Sequence, residues 1–218
     1  MPSIARTTTE PAVRLEGLVK SFDQQVAIAN LTTVFHQGQL TGLVGPDGSG
    51  KTTLMRLMAG LMTPTDGYVQ ILGLDTQRDI ERIPEFIGYM PQRFGLYEDL
   101  SITENLGLYA ELQNLPLLQR EATFNRLLNF TRLAEFSDRL AGKLSGGMKQ
   151  KLGLACAMIS SPKVLLLDEP GVGVDPVSRQ DLWHMVQALT DEGIAVIWAT
   201  AYLDEAEKCD RVIPVSYT

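Results

Sequence analysis

Long apolar runs, positive charge and reactive side chains are all scarce in this chain of 218 residues. No stretch approaches the roughly 20 apolar residues that cross a bilayer. The longest candidates, Leu152 to Ile159 and Ala195 to Leu203, fall well short of that length, so the chain is not expected to span a membrane. Lys and Arg number 19 against 26 Asp and Glu, giving a formal net charge of −7. With no basic stripe to neutralise phosphates, a nucleic-acid partner is excluded from the expectations. The two cysteines, Cys156 and Cys209, lie in apolar or helix-like contexts without metal-ligand spacing, and are expected to be free thiols in a reducing compartment. His36 and His184 stand isolated and read as structural rather than catalytic. Residues 1–12 are Thr-rich and lack the apolar core of a secretory signal, which reads as a disordered arm.

What remains is the composition of an ordinary globular protein: 44 % hydrophobic and 21 % charged residues suffice to bury a sizeable core. Its most informative stretch is Gly45-Pro46-Asp47-Gly48-Ser49-Gly50-Lys51-Thr52-Thr53, between the apolar run Leu40 to Val44 and the helix-like Leu54 to Leu61. Glycines at this spacing let the backbone turn so that consecutive amide N–H groups converge on phosphate oxygens. The helix that follows adds its positive N-terminal end. Lys51 supplies a mobile charge for the β and γ phosphates, and the Thr52 hydroxyl is placed to ligate Mg²⁺.

Val164-Leu165-Leu166-Leu167-Asp168-Glu169-Pro170 reads as a buried strand ending in two acids. Four aliphatic residues in a row suit a central parallel strand covered on both faces, and the acids emerge at its carboxyl end, where open α/β sheets bind ligands. Asp168 is expected to hold Mg²⁺ through its water shell, and Glu169 to orient or deprotonate the attacking water. Between the two motifs lies Leu144-Ser145-Gly146-Gly147-Met148-Lys149-Gln150, again before an apolar, helix-like segment. Ser145 with the backbone of Gly146 and Gly147 forms a second anion site. One nucleotide does not need two such sites from one chain, so this one is expected to face a nucleotide bound by another subunit or domain.

These residues carry a resemblance: the chain resembles the nucleotide-binding domain of ATP-binding-cassette (ABC) transporters, whose signature is usually LSGGQ. The resemblance runs from about Val13 to Val212. It implies that Phe22 stacks on adenine, that Gln92 in Tyr89-Met90-Pro91-Gln92 senses metal and attacking water and links the site to a membrane partner, and that Asp175 in Gly173-Val174-Asp175-Pro176 communicates across a dimer. Leu96-Tyr97-Glu98-Asp99-Leu100-Ser101, Thr103-Glu104-Asn105-Leu106 and Tyr202 to Glu207 are similar to ABC-2 type exporters of the drug-efflux group. Lys143 to Gln150 with Glu169 to Pro176 are similar to the first half of subunits that carry two ATPase domains, so a truncated half of a longer tandem chain is expected.

The resemblance therefore implies an α/β fold with a P-loop NTPase (RecA-like) core, an antiparallel β subdomain and an inserted α-helical subdomain. The core is placed at residues 13–91 and 161–218. The helical insertion is placed at 92–160, where Leu106, Tyr109 and Leu112, then Phe124, Leu127, Leu128 and Phe130, repeat at helical spacing. Asp66-Gly67 is expected as the turn before a strand at Tyr68 to Leu72. ATP and Mg²⁺ are the implied ligands. The implied partners are an ABC-2 type membrane permease and a second ATPase domain, either tandem half or homodimer, at the cytoplasmic side of the membrane. Phe94, Leu96 and Tyr97 offer anchors for a docking helix, although they equally suit seating the helical insertion on the core. Ala201 stands where the family usually has a His that contacts the γ-phosphate, Val172 replaces a Ser, and Met148 the Gln of the signature, so hydrolysis at the chain's own loop is expected to be impaired. A soluble cassette ATPase acting in a non-transport process is the alternative. A small-molecule kinase with the same loop would not need Ser145 to Gly147.

Overall fold

Aliphatic residues at alternating positions of two buried strands divide the interior into two cores, one on each face of a parallel sheet. In the computed structural model, which describes residues 11–216 except 24 and 94, strands β3 (Leu40–Val44), β6 (Ile87–Met90), β7 (Val164–Asp168), β8 (Ala195–Thr200) and β9 (Arg211–Pro214) pair in the order β6-β7-β8-β3-β9. All four pairings are parallel. Val164 and Leu166 of β7, with Ala195, Ile197 and Ala199 of β8, enter one core; Leu165, Leu167, Val196 and Trp198 enter the other. Burial on both faces is why these strands read as unbroken apolar runs.

The first core is closed by helix α1 (Lys51–Met58) and by a second, antiparallel sheet in the order β2-β1-β4-β5, made of β1 (Val13–Phe22), β2 (Gln25–Phe35), β4 (Asp66–Ile71) and β5 (Leu74–Asp75). The other core packs β7 and β8 against helices α2 (Ile102–Leu112), α3 (Leu117–Thr131), α4 (Gly146–Ala157) and α5 (Pro176–Asp191). A four-residue helix, α6 (Leu203–Ala206), follows β8.

Two local expectations are corrected. Asp66-Gly67 does not form a turn before β4 but opens that strand. Gly67 (φ +74°) and Gly17 (φ +56°) face each other where the β1–β4 register shifts, and a Cβ at 67 would collide with the Gly17 carbonyl oxygen. The glycine is spent on a bulge. Helix α1 ends at Met58 rather than Leu61 because Gly60 takes φ +70°. Gly60 N then donates to Leu57 O at 3.2 Å and Leu61 N to Arg56 O at 2.9 Å, the paired bonds of a Schellman end. Residues 1–10 of the expected N-terminal arm lie outside the described residues, as does Phe94.

Candidate active site

The loop Gly45 to Gly50 joins β3 to α1 and is pressed from two sides by backbone. A Cβ on Gly45 would collide with the Val215 carbonyl oxygen, and one on Gly50, at φ +105°, would lie 2.6 Å from the Ala27 carbonyl oxygen. Pro46, Asp47 and Gly48 are exposed at its crest, while Ser49 is buried with no hydrogen-bond partner for its hydroxyl. Lys51 runs back through the loop, only 3 % exposed, and its Nζ donates to Gly45 O at 2.8 Å and Pro46 O at 3.0 Å. A cavity of about 370 Å³ opens over the loop, with Gln25, Asp47, Lys51, Thr52, Gln92 and Glu169 among its lining residues.

The two acids at the end of β7 diverge because Glu169 adopts φ +52°. Glu169 turns over the phosphate loop, where Lys51 Nζ lies 3.1 Å from Oε1 and Gln92 Nε2 donates to Oε2 at 2.7 Å. Lys51, Gln92 and Glu169, separate in sequence, thus form one connected group. Asp168 stays inside the β7 end and accepts from the Tyr89 hydroxyl on Oδ2 at 3.4 Å. Its Oδ1 is buried without a partner. Burial pushes the Asp168 carboxyl above its ordinary value, Thr52's hydroxyl opposes this, and the neighbouring Glu169 charge adds to it. Burial, reinforced by the Asp168 charge, pushes the Tyr89 phenol up to about 12, so it remains a donor at neutral pH.

The unpartnered buried Oδ1 of Asp168, with the Thr52 hydroxyl beside that carboxyl, forms an oxygen-only donor set that fits Mg²⁺ better than a soft metal. Among the described residues no group of three His, Cys, Asp or Glu gathers as a self-sufficient metal cage. Mg²⁺ suits such a site, because it completes its shell with water and phosphate.

Ser145, Gly146 and Gly147 are absent from the described lining of that cavity. Ser145 caps α4 by accepting from Met148 N at 3.3 Å. The first turn of α4 instead meets the start of α5: a Cβ on Gly146 would lie 3.0 Å from Gly173 O, and one on Gly147 would collide with Ser178. Asp175 caps α5 by accepting from Ser178 N at 2.9 Å, a bond that holds its carboxyl below the ordinary value. Phe22, 45 % exposed at the end of β1, has the Lys20 ammonium 5.0 Å from its ring centroid and does not line the cavity either. Ala201 and Val172 are exposed, and Thr200 is buried with its hydroxyl accepting from Tyr202 N at 3.0 Å. Leu96 packs on the helical core and Tyr97 is exposed, whereas Phe94 lies outside the described residues.

Sequence reasoning missed Asn105. It is fully buried on α2, and its amide donates to the carbonyls of Tyr97, Leu100 and Ser101 while its oxygen accepts from Tyr97 N at 2.9 Å. A lone amide on the apolar face of a helix was the available signal. The Ser101/Glu104 capping box that starts α2 was equally available from its S-x-x-E spacing.

The family described as ABC transporter matches residues 28–172. The chain is 55 % identical over 206 residues to the probable multidrug ABC transporter ATP-binding protein YbhF of Escherichia coli (strain K12), covering 94 % of this chain and 36 % of that protein. It is 33 % identical over 216 residues to the Nod factor export ATP-binding protein I of Sinorhizobium fredii, covering 99 % of this chain and 63 % of the relative. The chain therefore spans about a third of the first of these proteins and under two thirds of the second. Among solved structures, cbiO1 from Clostridium perfringens, part of the ABC transporter complex cbiONQ, superposes with a TM-score of 0.86 at 26 % identity, over 96 % of this chain and 86 % of that one.

Proposed function

The chain belongs to the ABC transporter family, and from that premise we propose that it is an ATP-binding cassette that couples ATP binding and hydrolysis to the export of drugs or other small molecules through a separate ABC-2 type membrane subunit. The observation that carries this reading is the clamp on Glu169: Lys51 and Gln92 each hold one carboxylate oxygen above the phosphate loop. Within that arrangement the backbone N–H groups that the fold leaves free, at Gly48 and at residues 50–53 in the first turn of α1, bind the β and γ phosphates together with the Lys51 ammonium. Glu169 orients the attacking water, and Gln92 sits where both water and metal are sensed. Thr52, Gln92 and Asp168 hold Mg²⁺, which when bound neutralises charge on the phosphates.

Ser145 to Gly147 and Asp175 form an edge separate from the cavity, which supports their serving a second cassette rather than the chain's own loop. That second cassette is a tandem half or another copy. Residues 92–160 are assigned to a helical subdomain inserted in a core of 13–91 and 161–218. The cassette docks peripherally at the cytoplasmic face, with the exposed Tyr97 offered to the membrane subunit; among the described residues no helix is long and apolar enough to cross a membrane. Similarity to a probable multidrug protein supports drug export as the substrate class.

Steady-state phosphate release with Mg-ATP, measured over a range of protein concentrations beside Glu169→Gln, tests the reading. A rate that rises faster than linearly with protein and vanishes in the variant is expected of two cooperating cassettes. Failure to bind Mg-ATP overturns it. The methyl group of Ala201 offers no hydrogen bond to the developing charge, and one missing donor typically costs about 3 kcal/mol of barrier. Ala201→His is therefore expected to raise turnover at this loop by roughly 100-fold, and an unchanged rate would remove that explanation.

A further inference from the structure

Both tryptophans of the chain, Trp183 on α5 and Trp198 on β8, stack with ring centroids 4.0 Å apart and an interplanar angle of 19°. Trp198 stands two residues before Thr200, at the root of the segment that carries Ala201. Its indole Nε1 donates to Glu205 Oε2 at 3.0 Å. Glu205, on α6, is only 1 % exposed, and a carboxylate so far from water needs partners for both oxygens. Its Oε1 has none, and neither has the buried Nε of Arg179 on α5. These two atoms stand 3.9 Å apart, about 1 Å beyond a charge-assisted hydrogen bond.

Around this gap three segments meet. Arg179 Nη2 donates to Val174 O at 3.4 Å, next to Asp175. Glu205 Oε1 fills the space beside Gly171, two residues past Glu169, so that a Cβ at 171 would collide with it. Trp198 connects the same carboxylate to β8. The segment bearing Glu169 and the strand that leads to Thr200 and Ala201 therefore each meet one oxygen of a single buried acid, in addition to the direct bond from Glu169 N to Ala199 O at 3.0 Å. Neither side chain at the end of β8 offers another polar link: Ala201 has no polar atom, and the Thr200 hydroxyl is bonded within its own turn.

We propose that Glu205 is a positioning residue for hydrolysis, in which closure of the Glu205–Arg179 pair on Mg-ATP engagement sets the segment 169–175 against the segment 200–202. A pair poised just short of bonding, in surroundings where an unpaired polar group is costly, responds to a small displacement of either segment by closing or opening. This proposal rests on the reading of the chain as an ATP-hydrolysing cassette and adds a link between the two segments, without supplying the hydrogen bond that Ala201 lacks.

Intrinsic fluorescence reads the pair directly, because both tryptophans belong to the cluster. The intact chain, Glu205→Gln and Arg179→Met are compared for Mg-ATP affinity by calorimetry, for tryptophan emission with and without saturating Mg-ATP, and for kcat and KM. The unaltered chain is expected to shift its emission on saturation. Both variants should lose that shift and at least tenfold in kcat, while affinity and KM change less than threefold, and the double variant should be no worse than either single one. Binding without an emission change in the unaltered chain, or variants that keep the shift, would overturn the proposal. So would a fall in kcat that merely follows weaker binding. If turnover is too slow to read, the emission decides. If Glu205→Gln does not fold, Arg179→Met decides alone, since the Arg179 side chain lies at the edge of the cluster with 30 % exposure. An unaltered chain that binds no Mg-ATP would overturn the ATPase reading and this proposal together, an outcome that calorimetry separates from the others.

Discussion

Lys51 carries a structural duty that can be separated from nucleotide binding. Its Nζ meets Gly45 O at 2.8 Å, Pro46 O at 3.0 Å and Glu169 Oε1 at 3.1 Å, with side-chain exposures of 3 % for Lys51 and 9 % for Glu169. Lys51→Met removes the donor from two loop carbonyls and leaves Glu169 with only Gln92 on its other oxygen. Breaking a buried ion pair from one side costs about 3–5 kcal/mol, because the remaining charge loses its compensation. For a domain of this size that corresponds to a fall in melting temperature of roughly 6–20 °C. Glu169→Gln alone leaves the lysine its two carbonyls and should cost about 1–3 kcal/mol. The double variant holds no uncompensated charge, so it should be at least about 2 kcal/mol more stable than the two costs added together predict. Differential scanning calorimetry and urea melts without nucleotide, on the four proteins of the cycle, measure this coupling. A Lys51→Met protein that melts within about 2 °C of its parent, or two costs that simply add, would refute the view that this ion pair holds the loop in shape.

Three further outcomes are expected. Burial raises the Asp168 carboxyl above its ordinary value of 3.8, so the folded state binds its proton more tightly than the unfolded chain does. That contribution to stability is fully present below the ordinary value and is lost as pH rises through the raised one; Asp168→Asn should therefore melt higher than its parent at pH 7, with the difference shrinking on acidification, yet release no phosphate. Asn105→Ala should expose the bonds around residues 97–101 to limited proteolysis and weaken capture of the membrane subunit, with ATP affinity within about twofold because none of these contacts reaches the phosphate loop. Gly147→Val pushes α4 away from Ser178 at the start of α5 and should reduce cooperative turnover at least tenfold while leaving ATP binding by the single chain in place, as read by calorimetry and phosphate release.

How much of this was visible beforehand depends on whether a feature is local. The phosphate loop, the β7 acids and the αβ punctuation around them are set by residues within a few positions of one another, and the structure places β3, α1 and β7 close to where the sequence pattern does. Helix α4 begins at Gly146, earlier than its apolar run at Leu152, because Ser145 caps it. The bulge joining Gly17 to Gly67 depends on a pairing that neither glycine signals by itself, and the same Asp66-Gly67 doublet would serve equally well as a turn. The clamp of Lys51 and Gln92 on Glu169 could be expected in composition but not in geometry, since it needs β6 and β7 to be neighbours. Asn105, Arg179 and Glu205 escaped for a further reason: each is polar within a helix, and periodicity treats such residues as solvent-facing until packing shows Asn105 and Glu205 buried and the Arg179 Nε enclosed.

The floor of the phosphate loop has a consequence for how this protein is made. Val215 N donates to Val44 O at 2.7 Å and Gly45 N to Thr200 O at 3.2 Å, so the loop rests on strands that leave the ribosome more than 150 residues after it. Leu40 N is likewise held by the Asp210 carboxylate at 2.8 Å across 170 residues. Closing contacts of such separation comes late and slowly. A nascent chain would therefore acquire its nucleotide affinity only once β9 has emerged, and a pause just before that point would hold the half-built sheet, with its β3 edge unpaired, open to chaperones or to aggregation.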